Sequence, residues 1–131
     1  MSAPNPQRIA AAGAAAAVFM LVLDLGWIGF VGAPAYALLG PLQRPTPYWP
    51  AAVLFYAMYL GAILVHAALP AASVAQAARR GAGLGFVAYA TYELTNWAVI
   101  AGWPALLVPI DLGWGVFLTA ATSAVARRVL G

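Results

Sequence analysis

The stretch that decides the fold runs from Ile9 to Val31 and reads IAAAGAAAAVFMLVLDLGWIGFV. Its length is close to the roughly 20 apolar residues that cross the hydrocarbon core of a bilayer as a helix. A cleaved signal peptide is the alternative, with Arg8 as its charged start and Ala35-Tyr36-Ala37 as its cleavage site. The apolar run is too long for a signal peptide and contains Asp24, so we predict a retained transmembrane helix.

Three further apolar stretches follow, and with the first they divide the chain into four predicted spans at about 9–31, 49–69, 82–101 and 104–126. Helices are expected because lipid cannot satisfy a free backbone, and no alternating pattern of about ten residues suggests a barrel. A tight turn at Gly102-Trp103-Pro104 makes the last two helices antiparallel neighbours. The sequence therefore predicts an all-α polytopic membrane protein, a four-transmembrane-helix bundle that forms one domain over residues 1–131.

The amino-acid composition also indicates that most of the chain is surrounded by lipid. Of the 131 residues 65% are hydrophobic and 7% are charged, whereas a soluble domain carries about a quarter charged residues. Cysteine is absent, which excludes a disulfide framework and a thiolate metal site. The net charge of +3 is too small and scattered for nucleic-acid binding. The expected partner is the lipid bilayer.

The basic residues indicate the orientation of the chain. All six are arginines, and four spans put five of them on one side of the membrane: Arg8, Arg79, Arg80, Arg127 and Arg128. Only Arg44 falls on the other side, in a proline-rich loop at 33–49 whose prolines and Gly40 are expected to break any helix. Because cytoplasmic loops carry the excess of arginine and lysine, we predict cytoplasmic termini and an extracytoplasmic 33–49 loop.

The three acidic residues of the chain all lie inside predicted spans. Asp24, Glu93 and Asp111 have no arginine or lysine in their spans to neutralise them, and carboxylates inside a membrane are costly and often functional. They are expected to be protonated, to bind a cation, or to accept hydrogen bonds from neighbouring donors. At about 1.5 Å per residue, Asp24 and Asp111 reach a similar depth and Glu93 lies near mid-membrane, so one polar layer can hold all three.

A repeated word strengthens this interpretation. Asp24-Leu25-Gly26-Trp27 in the first span recurs as Asp111-Leu112-Gly113-Trp114 in the fourth, each with a phenylalanine three residues later. The two copies cross the membrane in opposite directions, and inverted repeats place binding sites near a midplane twofold axis. Helix packing alone explains the glycines and tryptophans, but it does not explain the acids.

The third span holds the densest polar patch. Tyr89, Glu93 and Asn96 share one helical face, whereas Thr91 and Thr95 are expected to bond back to their own helix. His66 lies nearer the cytoplasmic side and is left out of the layer, and no metal site is predicted. The candidate ligand-binding residues are Asp24, Trp27, Tyr89, Glu93, Asn96, Asp111 and Trp114.

Several words of this sequence resemble a known family. They are Leu23-Asp24-Leu25-Gly26-Trp27, Leu54-Phe55-Tyr56, Ala88-Tyr89-Ala90-Thr91-Tyr92-Glu93-Leu94-Thr95-Asn96, Gly102-Trp103-Pro104 and Asp111-Leu112-Gly113-Trp114-Gly115. They look like an uncharacterised family of small predicted bacterial membrane proteins, a domain of unknown function. The resemblance covers nearly the whole chain and implies four helices in a bacterial cytoplasmic (inner) membrane, but no activity. In the family pattern the acid at Glu93 is commonly aspartate.

Three functions fit these patterns, and no cofactor is identified. The favoured one is an intramembrane carboxylate-lined site that binds or conducts a small or lipophilic ligand, a proton or a cation. The first alternative is a membrane enzyme that modifies a lipid or isoprenoid, with the carboxyls as acid and base. The second is a subunit or assembly factor of a larger membrane complex, and a transporter of this size would need a homo-oligomer.

Overall fold

The computed structural model describes residues 3–131, and this part of the chain contains helices and no strand. Five α-helices follow one another: α1 (Pro6–Gly26), α2 (Ala33–Tyr36), α3 (Trp49–Ile63), α4 (Val74–Val99) and α5 (Leu107–Leu130). α1 continues as a π-helical turn, Trp27–Val31, and α3 as another, Leu64–Ala68, while 3₁₀ turns at Ala37–Leu42 follow α2. The all-α prediction is confirmed.

Three helical segments are long and apolar enough to cross a membrane. They are Pro6–Val31, Trp49–Ala68 and Leu107–Leu130, which agrees with the predicted first, second and fourth spans. The helix at the predicted third span, α4, is long but more polar, so the fourth crossing stays a prediction.

The start of α4 differs from the expected boundary. Ser73 caps the helix by accepting a hydrogen bond from the backbone N–H of Gln76 at 3.0 Å, so the helix begins at Val74 rather than at Ala82. A serine at this position satisfies one of the free N–H groups of the first turn. As a result Arg79 and Arg80 lie within α4, and the connection to α3 is shorter than the expected loop.

The proline-rich linker is partly helical, although its prolines were expected to break any helix there. Pro34 and Pro50 lie in the first turns of α2 and α3, where a missing N–H costs nothing. The break comes at Gly40, as expected for that residue, because its φ of 55° interrupts the 3₁₀ turns and suits a residue without a Cβ. This local fold carries Tyr36 toward the helix bundle.

α4 and α5 run antiparallel and touch closely through glycines. A Cβ built on Gly81 would lie 2.6 Å from the carbonyl oxygen of Thr119, and one on Gly85 would lie 2.7 Å from the Thr119 hydroxyl. Small residues let helix backbones approach in this way. Further along the same face of α4, Tyr89 and Glu93 replace the glycines, so larger side chains fill the interface there.

Alanines pack α1 against α5 and against the last turns of α3. Ala12, Ala16, Ala68 and Ala126 are fully buried in one cluster with Leu130. A second cluster of Met20, Tyr59, Ile63 and Leu118 lies further along the bundle. Most residues of the first half of α3 are exposed, and a space remains between this half, α1 and α4.

Candidate functional site

That space is a pocket of about 350 Å³ to which all five helices contribute. Its wall combines two carboxylates with five aromatic rings and three aliphatic side chains: Asp24, Asp111, Tyr36, Phe55, Tyr56, Tyr89, Tyr92, Ile28, Ala52 and Ala88. Ligand pockets are commonly of this size and mostly apolar, with a few polar groups that orient the ligand.

Asp24 is held by two aromatic donors from other helices. Its carboxylate is only 5% exposed. One oxygen accepts a hydrogen bond from the Trp114 indole N–H at 3.0 Å, and the other accepts from the Tyr56 hydroxyl. Both donors are neutral, so the carboxylate is hydrogen-bonded without being neutralised.

Asp111 is hydrogen-bonded to a residue of the linker that follows α1. It is 3% exposed and accepts a hydrogen bond of 2.5 Å from the Tyr36 hydroxyl, which itself accepts from the Trp27 indole N–H at 3.2 Å. Burial, followed by the negative charge of Asp111, raises the pKa of Tyr36. The hydroxyl therefore keeps its proton and stays a donor.

The two copies of the repeated word meet in this network. The rings of Trp27 and Trp114 stack with centroids 4.6 Å apart and planes 5° from parallel. Each tryptophan is hydrogen-bonded to the aspartate of the other copy. Trp114 donates directly to Asp24, whereas Trp27 donates to Tyr36, which in turn donates to Asp111. The Trp27 ring lies over Gly32, where a Cβ would be 2.6 Å from the ring. The π-helical turn Trp27–Val31 therefore needs glycine at its end.

Glu93 lies behind Asp111 and is completely buried. One of its oxygens accepts from the Trp103 indole N–H at 2.9 Å. The other has no hydrogen-bond partner within residues 3–131, and the Asp111 carboxyl is its neighbour. Two ionised carboxylates have no hydrogen between them, so this contact becomes a bond only when one of the pair keeps a proton.

The predicted site residues separate into three groups. Asp24, Tyr89 and Asp111 line the pocket, whereas Trp27, Trp114 and Glu93 contact its carboxylates or their donors. Asn96 does not line the pocket, although it lies on the same side of α4. That these predicted residues contact a ligand stays a prediction.

Two other expectations concern side chains outside the pocket. Thr91 and Thr95 bond back to carbonyl oxygens of their own helix, as expected. His66 is exposed at the end of α3, where its carbonyl oxygen accepts from Arg80 at 2.9 Å. Neither feature contributes to the network around the carboxylates.

Sequence reasoning missed three donors of this network: Tyr36, Tyr56 and Trp103. Tyr36 lies in the linker that was expected to be irregular, and Trp103 lies in the tight turn between α4 and α5. The sequence could have indicated Trp103, because a tryptophan in a turn beside a span can donate its indole N–H to an acidic residue of that span. Tyr56 shares its span with other aromatic residues, and nothing in the sequence singles it out.

The three carboxyls do not converge on one point. Within the described part of the chain no group of three His, Cys, Asp or Glu side chains is placed to hold a metal ion. Asp24 and Asp111 face the pocket, surrounded by aromatic rings, and Glu93 backs Asp111. Aromatic faces and carboxylates together attract organic cations, and the apolar wall favours a lipophilic one.

Residues 9–127 match a protein family described as "Predicted membrane protein (DUF2177)". No curated protein matches the chain, and no solved structure matches it. The match covers most of α1 and α5, the whole of the helices between them and every residue of the carboxylate network.

Proposed function

This chain belongs to the DUF2177 family of predicted membrane proteins, and we propose that it binds a small lipophilic organic cation inside the membrane. The observation that carries the proposal is the pocket of about 350 Å³ whose aromatic wall holds two carboxylates. Asp24 and Asp111 accept hydrogen bonds from neutral donors, so both carboxyls can still attract a positively charged ligand.

The ring arrangement supports an ammonium ligand over a neutral one. Tyr36, Tyr56, Tyr89 and Tyr92 line the pocket, and a ring that turns its face to a cation stabilises the cation by about 0.5–2 kcal/mol. A carboxylate adds a charged partner, and its attraction for an ammonium ion is stronger in a pocket of low dielectric constant than in water. A neutral ligand of the same shape gains neither contribution and would also leave two buried charges unpaired.

The direct test is calorimetric titration of the purified chain with benzyltrimethylammonium, with neopentylbenzene as its uncharged isostere. We expect the cation to bind and the isostere to bind at least 10-fold more weakly. Asp24→Asn and Asp111→Asn should each weaken cation binding roughly 10- to 100-fold, since about 1.4 kcal/mol corresponds to tenfold.

Asn96→Ala is the matched control because Asn96 shares the α4 face but does not line the pocket. Its affinity should equal that of the wild-type chain. Equal affinity for the cation and its isostere, or full binding by both aspartate variants, would exclude this function.

We also propose that α4 is a fourth span and that the termini are cytoplasmic, in a bacterial inner membrane. Glu93, the acidic residue of α4, is fully buried, while Phe86 and Val87 are exposed. The charged residues that lower the hydropathy of α4, Arg79 and Arg80, are exposed near its start, where a span would leave the hydrocarbon core. Five of six arginines at one end of the bundle support the orientation, and the inverted repeat is consistent with it.

Single-cysteine labelling tests this topology cleanly, because the native chain has no cysteine. A membrane-impermeant maleimide applied to intact cells should modify Gln43→Cys in the linker. It should modify Gln76→Cys, at the start of α4, only after the cells are opened. The reverse pattern, or labelling of both in intact cells, would contradict the proposed topology.

A further inference from the structure

A second polar pocket lies at the opposite end of the bundle, where α1 begins and α5 ends. Its volume is about 520 Å³, and its wall includes Asn5, Arg8, Leu69, Arg127, Leu130 and Gly131. No side chain of this wall is acidic. Sixteen residues separate Arg8 from Asp24, and sixteen separate Asp111 from Arg127, which is roughly 24 Å along each helix. The two pockets are therefore separate sites.

Arg127 is the feature that makes this pocket a candidate site. It is 9% exposed, and its guanidinium makes no hydrogen bond to another group of residues 3–131. A buried charge is costly unless it is paired and hydrogen-bonded. The C-terminal end of α5 offers partial compensation through its helix dipole, but a dipole does not supply acceptors for five N–H groups.

Arg8 adds a second positive charge to the same pocket. One of its terminal nitrogens donates to the carbonyl oxygen of Leu130 at 3.3 Å, so the arginine at the start of α1 is tied to the end of α5. Two guanidinium groups on one wall repel each other, and an anion between them removes that repulsion. The pocket thus favours a ligand with negative charge and several acceptor oxygens.

We infer that this pocket binds the phosphate group of an anionic phospholipid. Planar guanidinium groups match the oxygens of a phosphate, and basic pockets between membrane helices hold anionic headgroups in this way. The position supports a lipid source, because α1 and α5 belong to segments apolar enough to span a membrane and this pocket lies where both end. Headgroups are found at that level of the bilayer. The site is independent of the proposed cation pocket.

The test titrates the full chain, purified in an uncharged detergent, with dioctanoyl phosphatidylglycerol in a calorimeter. Dioctanoyl phosphatidylcholine has the same tails without the net charge, and inorganic phosphate has the charge without the tails. We expect phosphatidylglycerol to bind at least 10-fold more tightly than phosphatidylcholine. Arg127→Gln should remove most of that preference.

Arg128→Gln is the matched control, because Arg128 is exposed next to Arg127 and the variant loses the same charge. Its affinity should stay within twofold of the wild type. If Arg127→Gln does not fold, Arg8→Gln takes its place, since Arg8 is exposed. Inorganic phosphate that competes at equal concentration would assign the site to free phosphate and overturn the lipid source. Equal effects of Arg127→Gln and Arg128→Gln would overturn the site itself.

Discussion

The two ends of the helix bundle are built from opposite kinds of side chain. At the arginine end, where α1 and α4 begin, the helices meet through alanines and glycines such as Ala12, Ala16, Gly81 and Ala126. At the carboxylate end the helices meet through aromatic rings, with the Trp27–Trp114 stack between α1 and α5. Small residues bring backbones together and rings hold them apart, so the pocket lined by Asp24 and Asp111 forms at the carboxylate end.

The acidic and basic side chains also lie at opposite ends of the helix bundle. The carboxyls of Asp24, Glu93 and Asp111 are buried among neutral aromatic donors at one end, and five of the six arginines lie near the other. Glu93 is 13 residues beyond Arg80 in α4, or roughly 20 Å along the helix. A fold that needed only internal neutralisation would pair these charges. Their separation is what both proposed binding sites rest on.

The largest expected effect comes from the boundary between the two ends, at Gly115. A Cβ on Gly115 would collide with the ring of Tyr89, so Gly115→Ala should force the ring-filled half of the interface apart. We expect a loss of about 3 kcal/mol, the upper part of the range for overpacked cores. Thermal unfolding in detergent, followed by circular dichroism, measures this loss.

Gly113→Ala is the control for helix composition. It lies in the same helix, and its new Cβ would meet nothing within 4 Å. Alanine is the better helix former by about 1 kcal/mol, so this variant should be as stable as the wild type or more stable. A similar loss for both glycines would show that the contact with Tyr89 does not set the helix spacing.

The next largest effect is expected at Glu93, where two substitutions distinguish the contribution of its hydrogen bonds from that of its charge. In Glu93→Gln the amide oxygen can accept from Trp103 while the amide N–H donates to Asp111, so no shared proton is needed. Its free energy of unfolding should stay within about 1 kcal/mol of the wild type. Glu93→Leu leaves the Trp103 N–H without its acceptor and should lose about 2 kcal/mol, as buried unpaired polar groups do.

Urea unfolding of the detergent-solubilised chain measures both variants. Equal stability of the Gln and Leu variants would mean that Glu93 acts through its volume alone.

Much of this architecture can be predicted from the sequence, because a chain surrounded by lipid must form long apolar helices. Long apolar runs give the helices, and Asp24 and Asp111 stand out because acids inside such runs are rare. The repeated Asp-Leu-Gly-Trp word also indicates that the tryptophans belong near the aspartates. These inferences need only local patterns, and the structure brings Trp27, Trp114 and both aspartates together.

The remaining parts depend on contacts between distant segments. Tyr36 donates to Asp111 across 75 residues of sequence, and its proline-rich surroundings indicate a turn rather than a partner for a buried acid. Asn96 has the correct helical spacing, yet helix spacing does not say how far along α4 the pocket extends. The pocket itself is lined by residues from all five helices, and no local pattern encodes how those helices are arranged.

The smallest expected effect concerns Arg44, the one arginine on the carboxylate side. Its guanidinium lies 5.6 Å from the ring centre of Tyr48, and both residues are exposed in the linker. An exposed cation–π contact is worth about 0.5–1 kcal/mol, so Arg44→Ala should lower stability by no more than that. Titration with benzyltrimethylammonium should give an affinity within twofold of the wild type, because water and salt screen an exposed charge. If removal of Arg44 instead tightened binding tenfold, this arginine would be partly neutralising the pocket carboxylates, and the two ends would not be electrostatically independent.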